Sequence, residues 1–250
     1  MEERGGKLTV RAVERALDIL MCFAHDQDLT LTEIAGRIGL NKSTVHRLIA
    51  TLEERGFILR NGDKLRLGYR VWELAANLTQ VDDPAQLLLP EMERLRDQLG
   101  ETVSLYVQDG DARIRIQAVQ SNQAIRRVAP VGARLPLYVG ASSKVLLAFI
   151  SEEEREQILN TIEWPQNFDV HVYLAQLDEV TESGFAISME EREPGAAAVA
   201  VPVYGRDQQL AAALSISGPV SRLTQETMME YAPYLKEAAA RMGTMMRTVT

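Results

Sequence analysis

The chain has 250 residues, a formal net charge of −8, and ordinary apolar and charged fractions of 46% and 25%. That length suits two domains of roughly 80 and 170 residues. The composition excludes collagen-like, low-complexity and disulfide-framed classes, and no apolar run approaches the ~18 residues of a membrane span. Met1 to Lys7 lack the apolar core of a secretion signal. With the single cysteine Cys22, which reads as a small buried hydrophobe, this leads to the expectation of a reducing cytoplasm and no membrane.

The charge is unevenly divided. Residues 1–78 hold 12 Lys and Arg against 11 Asp and Glu, whereas residues 79–250 hold 15 against 24. The near-neutral first part can still bind nucleic acid if its basic groups share one face.

In chain order, residues 11–24 carry apolar groups at Val13, Ala16, Leu17, Leu20 and Phe23, a helical stripe. Helices are predicted over residues 32–38 and 42–55, joined by Gly39-Leu40-Asn41. Strands at 56–59 and 64–67 flank Arg60-Asn61-Gly62-Asp63, where Asn-Gly is a hairpin signal. A helix at 69–79 follows, then a domain boundary at Val81-Asp82-Asp83-Pro84. Beyond it the pattern predicts a helix over 84–99, strands at 102–107, 113–120 and 125–128, and helices at 142–150, 152–162 and 174–183. Strands at 185–189, 198–203 and 210–217 come next, then a helix from 224 to about 247 that Pro233 should bend or delay. Strands joined by both hairpins and helices indicate an α+β class, not a doubly wound parallel sheet.

Residues 31–50 meet the demands of a helix-turn-helix. The inward positions are Ile34, Ile38, Leu40, Val45 and Leu48; the close crossing has Ala35; the turn has Gly39. On the second helix Val45, Leu48, Ile49 and Leu52 face inward, and Asn41 can cap its start. Lys42, Ser43, Thr44, His46 and Arg47 then point outward from the half that enters a major groove. Arg47 can bond guanine bidentately, and Ser43 and Thr44 can bond bases or phosphates. His46 reads equally as a surface histidine or a base reader. The hairpin adds Arg60, Lys64 and Arg66, which could reach phosphates or a minor groove.

These motifs resemble the IclR family of bacterial transcriptional regulators. The resemblance spans about Val10 to Gly243. It is carried by Arg15-Ala16-Leu17-Asp18-Ile19-Leu20, the run from Lys42 to Leu48, and Leu65-Arg66-Leu67-Gly68. Further along it is carried by the run from Val131 to Leu137, Ser143-Lys144-Val145-Leu146-Leu147-Ala148, Glu190-Glu191 with Gly195, and Ser215-Ile216-Ser217-Gly218-Pro219. It implies a winged helix-turn-helix over 1–68, a linker helix and boundary over 69–83, and a GAF-like effector-binding and oligomerisation domain over 84–250. It also implies a homodimer or tetramer on a palindromic double-stranded operator, with a small carboxylic acid or aromatic catabolite as effector.

Two features point to a carboxylate site from the residues themselves. Gly140-Ala141-Ser142-Ser143 opens a helix, whose free N–H groups and dipole favour an anion. The strand 210–217 places Ala211, Ala213, Ser215 and Ser217 on one face, leaving room for a ligand or a close-packed helix. By the resemblance the pocket is lined by Ala141, Ser142, Ser188, Ala198, Ser215 and Ser217. Some members have an acid in place of Ser188 and a cysteine in place of Ala198, so this pocket could take a different or bulkier acid. Arg126 or Arg127 could supply a counter-charge or lie on the surface.

Two other classes stay open on the sequence. An enzyme fused to a DNA-binding module would need an oriented nucleophile or a metal cluster. His25, His46 and His171 are widely spaced, without metal-ligand spacing, and Glu190, Glu191 and Glu193 read as a solvated cluster. Neither a catalytic residue nor a cofactor is expected. The third class is an architectural DNA binder that needs no ligand.

Overall fold

The computed structural model describes residues 9–24, 26–79, 84–126 and 130–246. Met1 to Lys7, His25, Val81-Asp82-Asp83 and Arg127 lie outside the described residues. The chain divides into two compact units, Met1–Asp83 and Pro84–Thr250.

The first unit contains α1 (Arg11–Met21), a 3-10 turn (Cys22–Ala24), β1 (Leu29–Thr30), α2 (Leu31–Ile38), α3 (Lys42–Glu54), β2 (Ile58–Asn61), β3 (Lys64–Leu67) and α4 (Tyr69–Thr79). The three strands pair antiparallel in the order β1-β3-β2. Strand β1, two residues long, is too short to leave a periodic signal in the sequence. Thr30 and Glu33 form a reciprocal capping box at the start of α2, which satisfies two otherwise orphaned amides. Gly39 ends α2 at φ 64, a left-handed turn residue. The hairpin turn is Gly62-Asp63, one residue later than the Asn-Gly reading, because Asn61 pairs with Lys64.

Ile19, Phe23, Leu29, Ile34, Val45, Ile49, Leu52, Ile58 and Leu65 form the core of this unit, with Ile38, Leu40 and Leu48 half-buried around it. The apolar stripe of α1 divides in two. Ile19 and Phe23 face the core, whereas Val13 and Leu17 are 55% and 56% exposed. Cys22 is half-buried; burial pushes its thiol up, and its Sγ donates to Asp18 O.

The second unit contains α5 (Pro84–Leu87), α6 (Leu89–Leu99), β4 (Thr102–Asp109), β5 (Ala112–Val119), β6 (Arg134–Pro136), α7 (Ala141–Ala148), α8 (Glu152–Leu159), α9 (Val170–Ser183), β7 (Ala186–Met189), β8 (Ala196–Tyr204), β9 (Leu210–Pro219) and α10 (Gln225–Gly243). The helix expected over 84–99 is broken at Leu88. Pro90, in the first turn of α6, has no N–H to continue a helix from α5. The strand expected at 125–128 is not formed in its described part, Ile125 and Arg126. The edge strand lies instead at Arg134–Pro136, paired with residues 112–114 of β5. Helix α10 runs through Pro233 to Gly243.

The six strands pair antiparallel in the order β6-β5-β4-β9-β8-β7. One face packs on α6 and α10 through Val103, Leu105, Val199, Val201, Leu214 and Ile216. The other packs on α7, α8 and α9 through Tyr106, Ala186, Ala200 and Ala213. Ala211 leaves the face of Ala213, Ser215 and Ser217 and packs with the first cluster. A register shift between Val203 and Tyr204 inserts one unpaired residue there and flips it.

Candidate DNA-binding face and effector site

Helix α3 begins with Asn41, whose Oδ1 accepts from the Thr44 amide at 2.8 Å and from the Ser43 hydroxyl at 2.9 Å. These bonds order the first turn. Val45, Ile49 and Leu52 anchor the helix in the core, so the opposite face is set by the 3.6-residue period. Lys42, Ser43, His46 and Arg47 are exposed on it, and Thr44 is half-buried. Among the described residues no acid pairs with Lys42, His46 or Arg47.

The hairpin differs. Arg60 forks onto Glu53 at 2.9 and 3.1 Å, Lys64 lies 3.6 Å from Glu33, and Arg66 lies 3.1 Å from Asp28. All three basic groups expected to meet DNA are thus engaged with acids of their own unit. These pairs are solvent-exposed and therefore weak, typically below about 1 kcal/mol.

In the second unit Ala141, Ser142, Ser188, Ala198, Ser215 and Ser217 line one cavity of about 50 Å³. The sheet register explains this convergence. Ser217 lies opposite Thr102 on one side and Ala198 on the other, and Ala198 lies opposite Ser188. Directly paired residues share a face. The next row is Ser104, Ser215, Ala200 and Ala186. Ser217 Oγ is buried without a hydrogen-bond partner among the described residues.

Helix α7 starts against this row. Gly140, at φ 97, turns the chain into it, and the amides of Ser143 and Lys144 bond back to Gly140 O. The Ala141 and Ser142 amides make no hydrogen bond among the described residues, so two donors and the positive helix end face the cavity. Glu191 holds this start in place. Its Oε2 accepts from the Gly140 amide at 3.0 Å and its Oε1 from Lys144 Nζ at 2.6 Å, with Lys144 only 4% exposed. Glu191 is therefore a structural clamp, unlike the solvated reading of the Glu190, Glu191 and Glu193 cluster. Glu190 accepts from the Gly195 amide, and Glu193 pairs with Arg192.

Among the lining residues not expected from the sequence are Tyr106, Arg113, Arg192 and Glu193. Arg113 is 3% exposed. It donates to Pro136 O at 2.8 Å, to Val139 O at 2.6 Å and to Ser143 Oγ, fastening the turn before α7. Its guanidinium lies 5.5 Å from the Tyr106 ring centre, and Tyr106 Oη accepts from the buried Arg115 at 3.0 and 2.5 Å. Arg126 does not line this cavity. It is exposed and bonds Gln120 and Gln123; among the described residues the cationic side chains that line the cavity are Arg113 and Arg192.

Comparison with known proteins finds a family match over each unit. The description "IclR helix-turn-helix domain" matches residues 12–62, and "Bacterial transcriptional regulator IclR C-terminal" matches residues 77–244. The chain belongs to the IclR family. It is a DNA-binding transcriptional regulator. It is 32% identical to the regulator KdgR of Escherichia coli over 248 residues, covering 95% of this chain and 93% of that one. It is 29% identical to KipR of Bacillus subtilis over 239 residues, covering 93% and 96%. Among solved structures it is similar to an IclR homolog from Microbacterium hydrocarbonoxydans complexed with 4-hydroxybenzoate. The TM-score is 0.80 at 27% identity, over 95% of this chain and all of that one. The IclR regulator of Alicyclobacillus acidocaldarius gives 0.79 at 29% identity, over 95% and 99%. Among the described residues of this IclR-family regulator, no helix is long and apolar enough to cross a membrane.

Proposed function

We propose that this regulator binds a palindromic operator through α3 and that a small organic acid in the serine-lined cavity modulates that binding. DNA binding is assigned to residues 1–68, the link to 69–83, and acid binding and oligomerisation to 84–250. The reading of the cavity rests on one observation above all: the buried, unpartnered Ser217 hydroxyl beside the unbonded Ala141 and Ser142 amides. A buried hydroxyl without a partner is unfavourable, and an acid oxygen there relieves it. Each charge-assisted bond to a carboxylate is worth about 1.5–3 kcal/mol. The similar Microbacterium protein, complexed with 4-hydroxybenzoate, supports an acid as ligand class.

On the DNA side, Lys42, Ser43, Thr44, His46 and Arg47 meet the major groove. Arg60, Lys64 and Arg66 exchange their weak internal pairs for phosphates. Arg47→Ala should weaken specific operator binding by roughly 1–3 kcal/mol, read by titration of labelled operator at fixed salt. Unchanged affinity in a folded variant removes α3 as the reading helix.

Two recognition helices on a palindrome require a two-fold assembly. Exposed Val10, just before α1, and Val13, Leu17 and Met21 on α1, with Tyr69, Trp72 and Leu74 on α4, offer apolar surface for a homodimer. Sedimentation should give at least a dimer at working concentration. A monomer bound to a single half-site contradicts this assembly.

A further inference from the structure

We propose that the effector carries two acidic groups, and that Arg192 binds the second; the inference rests on the carboxylate site proposed above. Among the described residues, the charged ones that line the cavity are Arg113, Arg192 and Glu193. Arg113 is buried on the sheet beside the α7 start. Arg192 is half-buried on the turn that joins β7 to β8. One acidic group at the α7 amides and the two serines satisfies the Arg113 end. It leaves the Arg192 end facing the same small space.

Arg192 is poorly engaged for a lining cation. Its Nη2 contacts Glu193 Oε1 at 3.0 Å, and its other N–H groups have no partner among the described residues. The Glu193 side chain is 56% exposed, so water screens this pair and little is lost in breaking it. A ligand carboxylate inside the cavity is shielded from water and can accept from the guanidinium as a fork, a stronger contact. The surrounding unit is strongly acidic, which disfavours a dianion everywhere on its surface except at such a concentration of positive charge.

Size narrows the class further. The cavity is about 50 Å³, well below the ~150 Å³ that holds a benzene ring. A short aliphatic dicarboxylate is no smaller than a benzene ring, so its entry also requires the turn carrying Arg192 and Glu193 to move outward, by less than a larger aromatic acid requires.

The test is calorimetric titration of the full-length protein with malonate against malonamate and succinate against succinamate. Within each pair only the second acidic group differs. The dianion should bind at least about tenfold more tightly in the natural protein. Arg192→Gln should bring the ratio of dissociation constants close to one. Arg192→Lys, which keeps the charge but not the fork, should retain part of it, and Glu193→Gln should increase it by removing the internal competitor. If both members of a pair bind equally to the natural protein, the carboxylate site stands and the second acidic group is refuted. If the preference persists in Arg192→Gln, that group is read elsewhere and the assignment of Arg192 is refuted. If no member binds at millimolar concentration, the carboxylate site itself fails.

Discussion

The two faces of the six-stranded sheet are made by the same strands and do opposite things. On β9, Ala212, Leu214 and Ile216 are buried in a dry cluster with α6 and α10. The alternate residues Ser215 and Ser217 line the cavity. Period-two alternation lets one strand serve stability and recognition at once. The difference also shows in hydrogen bonding. The buried cluster on the first face is apolar, whereas the second face carries Thr102, Ser104, Ser215 and Ser217 in paired rows, with Ser104 Oγ and Ser217 Oγ unpartnered among the described residues.

Substitutions on neighbouring residues of β9 should separate these roles. The largest effect is expected on the dry face. Leu214→Ala should cost about 2–5 kcal/mol in denaturant unfolding, because the side chain is fully buried and its loss leaves a cavity. Acid affinity per folded molecule should change little. The smaller effect is expected three residues on. Ser217→Ala should leave stability within about 0.5 kcal/mol or raise it slightly, since the lost hydroxyl had no partner. Comparable destabilisation by both substitutions would erase the distinction between the faces.

Much of this was legible in the sequence, and the gaps have physical reasons. The helix-turn-helix was readable because few sequences satisfy a small crossing residue, a left-handed turn residue and five inward positions at once. The Ser215 and Ser217 face was readable from alternation and the Ala141-Ser142 helix start from its residues, and the resemblance added Ser188 and Ala198. Arg113 was missed because Arg113, Ile114, Arg115 and Ile116 look like an ordinary strand with one solvated face. Alternation reveals that a face is polar, not whether water or a cavity covers it. The clue was Tyr106, which the hairpin brings opposite Arg115. Arg192 lies on a turn, where no periodicity exists to direct it. Periodicity puts Val13 and Leu17 in one stripe with Phe23, and a helical stripe does not say which molecule covers it. The roles of Arg60, Lys64 and Arg66 depend on a partner, since each already has an acid at hand.

The central claim is that an acid held on the polar face changes DNA binding. A ligand shifts that equilibrium only if it binds the DNA-competent and incompetent states differently. The direct measurement is an operator titration with and without malonate, in the natural protein and in Ser215→Ala with Ser217→Ala. The account predicts that both proteins bind operator alike without the acid. With it, the natural protein's affinity shifts and that of the double variant does not. A double variant that still responds fully to malonate would contradict the account, because the acid would then be acting at another site.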